Sequence, residues 1–182
     1  MNENVKNGNN RRVEYNPVPS VADVPNSMLP TVDVSESKRQ GSEIAAERFV
    51  ADGGCNSIAG TADGKVGEWA FCKYLPGNRK PDSEVRPNGD GGWDEKFGRC
   101  TWDAKLVGRH VNLPDLMIDA QTRLRADRYA LINQIGKNTC RIVGCAPRHG
   151  VKQHPIKLNE YDRPYRRVPR NKLVPFPPVL SK

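Results

Sequence analysis

No run of roughly 18 apolar residues occurs in the chain, so the sequence offers no membrane-spanning helix. The first 30 residues are polar and rich in asparagine and have no apolar stretch of the kind a secretory leader needs. No Cys-x-x-Cys pair is present. The five cysteines are Cys55, Cys72, Cys100, Cys140 and Cys145. Their odd number and wide spacing argue against a disulfide framework or a structural zinc knuckle, with Cys140 and Cys145 the nearest approach to a ligand pair. Reduced core thiols of an intracellular protein are the expectation. There is no phosphate-cradling Gly-x-x-x-x-Gly-Lys loop, no nucleophile elbow in a Ser-His-Asp order, and no internal repeat. His110, His149 and His154 lack acidic or cysteine partners at metal-ligand spacing. A histidine-metal nuclease is therefore disfavoured, and solvent or phosphate contact is the expected use of these residues.

Apolar residues are also sparse, at 36% of 182 positions with a mean hydropathy of -0.72. That is low for a chain that is globular throughout, so part of it is expected to lie outside any core. The formal net charge is +8. A basic balance suits a polyanionic partner such as nucleic acid, although a solvated basic surface gives the same sum.

Three regions are expected. Residues 1–36, with Asn2, Asn4, Asn7, Asn9 and Asn10 followed by Pro17, Pro19, Pro25 and Pro30, read as a disordered or extended arm. Residues 37–147 read as the folded core. Residues 148–182 read as a basic, proline-rich segment partly docked on it, either as a short strand and helix or as a loose arm. Within the core, a helix is expected over 37–50, with Ser35 or Ser37 as cap and Ile44, Ala45 and Phe49 as its apolar stripe. A second is expected over 64–75, capped by Asp63, with Val66, Trp69, Ala70 and Tyr74 at helical spacing. Strands are expected over 92–97, 99–107, 128–134 and 140–146. Trp69, Trp93 and Trp102 are expected to serve packing before base stacking.

Candidate chemistry begins at Asp103-Ala104-Lys105. Cys100, Trp102, Ala104 and Leu106 alternate with Arg99, Thr101, Asp103 and Lys105, so a strand sets an apolar row on one face and a charged row on the other. A hairpin turning at Phe97-Gly98 sets Asp94 opposite Thr101 and diagonal to Asp103 on the same side. Two carboxylates aimed at one point can hold a hard divalent cation through oxygen. Metal-assisted phosphodiester hydrolysis needs this arrangement, with a neighbouring lysine to stabilise charge or help deprotonate water.

The ordered set Gly67-Glu68-Trp69-Ala70-Phe71 on a helix, Gly91-Gly92-Trp93-Asp94 entering a strand, and Asp103-Ala104-Lys105 on the next resembles the PD-(D/E)xK, or restriction-endonuclease-like, nuclease superfamily. The runs Ala126-Asp127-Arg128-Tyr129-Ala130-Leu131-Ile132 and Arg141-Ile142-Val143-Gly144-Cys145-Ala146 are similar to the following strands of its small phage-encoded members, and the resemblance spans about residues 40–176. It implies an α/β fold with a mixed central sheet flanked by helices, here with an extended N-terminal arm. It implies Glu68, Asp94, Asp103 and Lys105 as catalytic residues, with Asp94, Asp103 and Glu68 holding Mg2+ or Mn2+. Asp90, in Pro87-Asn88-Gly89-Asp90, competes with Asp94 for the first aspartate position.

The leading expectation is a metal-dependent nuclease hydrolysing DNA, phage or mobile-element encoded, working in the host-cell cytoplasm. Arg163, Arg166, Arg167, Arg170 and Lys172 are its expected nucleic-acid contacts. The rival is a virion or assembly protein that keeps the fold without activity and engages a phage protein or a second copy of itself through its arm. A third class is a non-catalytic nucleic-acid binder using the basic tail.

Overall fold

The structure is a computed structural model, and it describes residues 20–51, 57–77, 79–81, 93–112, 114–121, 123–159 and 161–176. In chain order the elements are β1 (Thr31–Asp33), α1 (Glu36–Ala51), α2 (Ile58–Tyr74), β2 (Glu95–Phe97), β3 (Cys100–Val107), β4 (Leu116–Asp119), β5 (Arg128–Gln134), β6 (Thr139–Pro147), α3 (Arg148–Gln153), β7 (Ile156–Leu158) and β8 (Pro164–Val168). The fold is mixed α/β. A five-stranded sheet has the order β1-β6-β5-β3-β2, and a three-stranded sheet has the order β4-β8-β7. β3 and β5 run parallel; the other pairs in both sheets are antiparallel.

The central strands explain their own burial. Every residue of β5 from Tyr129 to Gln134 is buried, which a strand covered on only one face would not show. On one side, Ala130, Ile132, Cys140, Ile142 and Cys145 pack with Val66, Ala70 and Phe71 of α2 and with Trp102. On the other, Tyr129, Leu131, Val143 and Ala146 pack with Leu116 and Ile118 of β4, Val151 of α3 and Val168 of β8. The large sheet is thus covered by α2 on one face and mainly by the small sheet on the other, against an expected central sheet flanked by helices. The β5–β6 register shifts between Leu131 and Ile132, as a bulge does. The shift lets Ile142 and Cys145, three residues apart, pack in the same core.

Two expected boundaries are corrected. α2 begins at Ile58, capped by the Ser57 side chain, which accepts from the Gly60 amide at 3.1 Å. Asp63 therefore lies inside the helix and pairs with Arg39 of α1 at 3.1 Å. Three glycines across residues 60–67 lower the helix propensity of that stretch, yet it is helical throughout. In α1 the buried positions are Ser42 and Ala46; Ala45 and Phe49 of the expected stripe lie half-buried beside them, whereas Ile44 is exposed and does not belong to it.

The expected arm is also corrected over residues 20–36. Val21 is fully buried, Leu29 and Val34 are buried, and β1 pairs with β6. The prolines punctuate this segment without unfolding it: Ser20 caps one 3-10 turn, and a second follows Pro25. Residues 1–19 lie outside the described residues. The C-terminal segment docks, as one of its two readings expected, through β8 and a bridge between Val174 and Cys145. The N- and C-terminal segments share the outer edge of β6. β1 takes Thr139 to Arg141, the Pro30 carbonyl accepts the Ile142 amide, and Val174 takes Cys145. The two segments also meet, the Val21 amide donating to the Leu173 carbonyl at 3.1 Å. No boundary falls at 36 or 147, because one core cluster joins residues from Val21 to Leu173.

Gly144 sits under this crossing. A Cβ there would stand 2.5 Å from Val21 Cγ2 and 3.0 Å from the Val174 carbonyl oxygen. Gly144→Ala is expected to destabilise the protein by roughly 1–3 kcal/mol, as overpacking does. Urea unfolding measures this, and an unchanged midpoint would contradict the crossing.

Among the described residues no helix is long and apolar enough to cross a membrane. Nor does any disulfide form among them: Cys72, Cys100, Cys140 and Cys145 are free thiols. Burial pushes the Cys140 thiol up to about 12, and raises those of Cys72 and Cys145 as well.

Candidate active site

The β2–β3 hairpin turns through Gly98 and Arg99, with Phe97 opposite Cys100. Gly98 has φ of +62°, the left-handed backbone that a two-residue hairpin loop requires and glycine adopts freely. The expected turn was Phe97-Gly98, which placed Asp94 opposite Thr101. In the structure Thr101 faces Lys96, a slip of two residues. An even slip preserves faces, so Asp94 still arrives beside Asp103. β2 itself starts only at Glu95, leaving Asp94 just before it. Asp94 is nevertheless hooked onto β3 twice: its amide donates to the Trp102 carbonyl at 2.7 Å, and its Oδ2 accepts from the Ala104 amide at 2.6 Å.

Glu68 arrives from α2. That helix is seated closely on β3 at Gly67, where a Cβ would lie 3.0 Å from the Leu106 side chain. The residue that follows Gly67 is thereby brought to the rim of β3. Glu68, Asp94, Asp103 and Lys105 all line one cleft of about 400 Å³. Its electrostatics are those of crowded carboxylates. Lys105 Nζ lies 2.7 Å from Asp103 Oδ1, and Lys65 Nζ lies 2.7 Å from Glu68 Oε2. Asp94 is buried, and its carboxyl is pushed up to about 9, first by burial and then by the charges of Glu68 and Asp103. The Ala104 amide and Lys105 oppose the shift.

The strand bearing this site is pinned to its neighbour by Asp127. Its Oδ2 accepts from both the Thr101 amide (3.0 Å) and the Thr101 hydroxyl (2.9 Å). These bonds, backbone first, hold the Asp127 carboxyl below its usual range.

Asp63, Gly60, Gly64 and Gln134 line the same cleft and were not foreseen. The signal was present. With the helix started at Ser57, Gly60, Gly64 and Glu68 fall four apart and share one face. Gln134 ends a strand buried from Tyr129 onward and carried no such signal. Asp90, the competing aspartate, lies outside the described residues.

The acidic residues offer only oxygen donors, which suits a hard divalent cation. Convergence of Glu68 and Asp103 on Asp94 supplies the negative field that such an ion would relieve. Among the described residues, no three His, Cys, Asp or Glu side chains already stand in metal-holding geometry. In the structure, lysines meet two of the three carboxylates.

None of the five basic residues expected to bind nucleic acid lines the cleft. Arg166 donates to the His154 carbonyl, Arg167 Nε pairs with Asp115 Oδ2 at 2.5 Å, and the Arg170 amide donates to Asp115 Oδ1 at 2.8 Å. The Arg166 and Arg167 side chains thus tie the small sheet to its surroundings, because β8 alternates them between its two faces. Arg163 and Lys172 are exposed. Of the three tryptophans, Trp102 is buried among Phe71 and Phe176, Trp69 is half-buried, and Trp93 is exposed.

Comparison of the chain with protein-family models, with curated proteins and with solved structures gives no match.

Proposed function

We propose that this chain is a divalent-metal-dependent nuclease acting on DNA, with a restriction-endonuclease-like arrangement of its catalytic residues. The observation that carries the proposal is the meeting of Glu68 from α2, Asp94 from the segment before β2, and Asp103 and Lys105 from β3 in one cleft. The β2–β3 hairpin with β5 parallel to β3, and a helix delivering a glutamate to the same cleft, further support it. A magnesium or manganese ion held by Asp94, Asp103 and Glu68 would lower the pKa of an attacking water and neutralise charge on the phosphate.

The protein's own groups have definable tasks. The Ala104 amide orients Asp94 by fixing its Oδ2. Lys105 stands beside Asp103 in the lining of the cleft, placed to meet charge on a phosphate oxygen or to take a proton from water. Gly60 and Gly64 keep side chains off one wall of the cleft, which leaves room for a phosphodiester backbone. Arg163 and Lys172 remain as exposed contacts for duplex phosphates.

The rival reading drew support from an arm free to wrap a partner. Residues 20–36 are instead built into this chain's own core, so that support does not extend to them. The direct test is incubation of plasmid and single-stranded DNA with the full chain, with magnesium, manganese or chelator. Metal-dependent cleavage is expected. Absence of both cleavage and metal binding across DNA and RNA substrates would remove the proposal.

A further inference from the structure

Beyond the cleft, α2 carries a second row of side chains. Lys65, Trp69 and Lys73 are four residues apart and so lie along one side of the helix. The row spans about 12 Å, the length of a few stacked nucleotides. It borders two hollows. One, of about 330 Å³, is lined among the described residues by Lys38, Trp69, Lys73 and Arg79 and by no acidic side chain. The other, of about 240 Å³, shares Lys38 and Trp69 with the first and adds Lys65. Lys65 also pairs with Glu68, which lines the cleft. Cleft and hollows therefore border the same helix, with the Lys65–Glu68 pair between them.

The charges here are only partly answered. Arg79 pairs with Glu95 at 2.6 Å. Lys73 Nζ donates to the uncharged Asp33 carbonyl at 2.8 Å, and Lys38 Nζ sits 3.9 Å from the centre of the Trp69 ring. An ammonium resting on an indole is a weak contact at a partly exposed site. A phosphate can draw Lys38 away, and the exposed ring face is then open to a base, whose stacking is the stronger interaction.

We propose that this face of α2 is a single-strand path leading out of the cleft, in which Trp69 stacks one base while Lys38 and Lys73 contact the flanking phosphates. Alternation of cations with an aromatic ring fits a nucleic-acid strand, which presents phosphates and bases together. An acidic peptide would use the charges and leave the indole idle. The direction of the path rests on the nuclease reading of the cleft, but binding along it can be measured without catalysis.

The test uses the full chain in chelator with a short oligothymidylate, read by tryptophan fluorescence and anisotropy at several salt concentrations. The wild type is expected to bind with quenching. Lys38→Glu with Lys73→Glu is expected to weaken binding about tenfold or more and to flatten the log–log salt slope by about 1.4, the value for two single-strand phosphates. Trp69→Phe keeps a ring for packing. It is expected to bind a few-fold more weakly and to lose the oligonucleotide-dependent quench. Circular dichroism checks folding, and Lys38→Glu alone, on the surface of α1, serves if the double variant unfolds. Wild-type affinity in both Lys38→Glu and Trp69→Phe would overturn the proposal, as would competition by polyglutamate equal to that of the oligonucleotide. A chain that binds as described but never cuts keeps this inference and ends the nuclease reading. A chain that cuts while these variants bind normally ends this inference alone.

Discussion

Lys105→Ala is expected to lose roughly 10²–10³ in the rate of metal-dependent cleavage, about 3–4 kcal/mol of transition-state stabilisation, while still binding DNA. The reason is when the interaction is made. Hydrolysis builds charge on phosphate oxygens that the ground state lacks, so a cation aimed at them acts on the barrier and little on affinity. Folding should lose about 1–3 kcal/mol, because the lysine side chain is 38% exposed but its partner Asp103 only 12%, and that carboxylate loses this cation. Lys105→Arg separates two roles: it keeps the charge but cannot give up or take a proton. Recovery of most activity by arginine would assign Lys105 to charge stabilisation, and failure to recover would assign it to proton transfer. Asp103→Asn should match Lys105→Ala in severity. The measurement is single-turnover cleavage beside DNA affinity in chelator. Variants that cut as well as wild type would mean that the site lies elsewhere.

Asp94→Asn is expected to stabilise the metal-free protein by roughly 2–4 kcal/mol near pH 7, a gain rare for a buried polar position. Folded Asp94 holds its proton up to about 9, against an ordinary value of 3.8. Between those two values the folded chain binds more protons than the unfolded chain. Stability therefore falls as pH rises through that window, with the favourable contribution complete below the ordinary value and gone above the raised one. Asparagine resembles the protonated acid in shape and leaves an oxygen to accept the Ala104 amide, so the variant should lose this slope. Manganese acts in the opposite sense to the proton. Its binding is expected to expel about one proton near pH 7 and to raise the melting temperature of the wild type but not of Asp94→Asn. Denaturation from pH 5 to 9, and calorimetry in buffers of different ionisation enthalpy, read both effects. Wild-type stability that increases over this range would contradict the burial and crowding described for Asp94.

These two residues also show what was legible in the sequence. A period of two along residues 99–107 identified β3 and assigned its faces, and Gly98 marked the turn. The turn was centred one residue early, yet the slip was even, so the carboxylates met regardless; an odd slip would have sent Asp94 to the opposite face. Glu68 was found through motif order, whereas the glycine wall beside it was missed because the start of α2 was set at Gly64. Ser57 is the better start signal, and the glycines that follow it reduce helix propensity. The course of residues 20–36 was illegible for a different reason. Their apolar side chains are few and widely spaced, and Val21 is buried by contacts with residues some 150 positions away, which no local pattern encodes. The Arg166–Arg167 pair read as a phosphate-binding patch because composition gives charge without geometry; the acceptors that engage them, the His154 carbonyl and Asp115, lie outside the run.

The shared edge of β6 has a kinetic meaning. A ribosome-bound chain that has emerged as far as residue 147 holds the whole five-stranded sheet and all the residues of the cleft, but only half the cover on the outer strand. Val174 would still be unmade, and Val21 would have no Leu173 carbonyl to meet. The amide and carbonyl of Cys145 would then stand bare beside an apolar surface, a template for pairing with a neighbouring chain. Closure of contacts with so large a sequence separation is also slow. Folding of this molecule is thus expected to wait on the contacts of Leu173 and Val174, and a fragment trimmed to residues 37–147 would keep the described residues of the cleft on a sheet with no finished border.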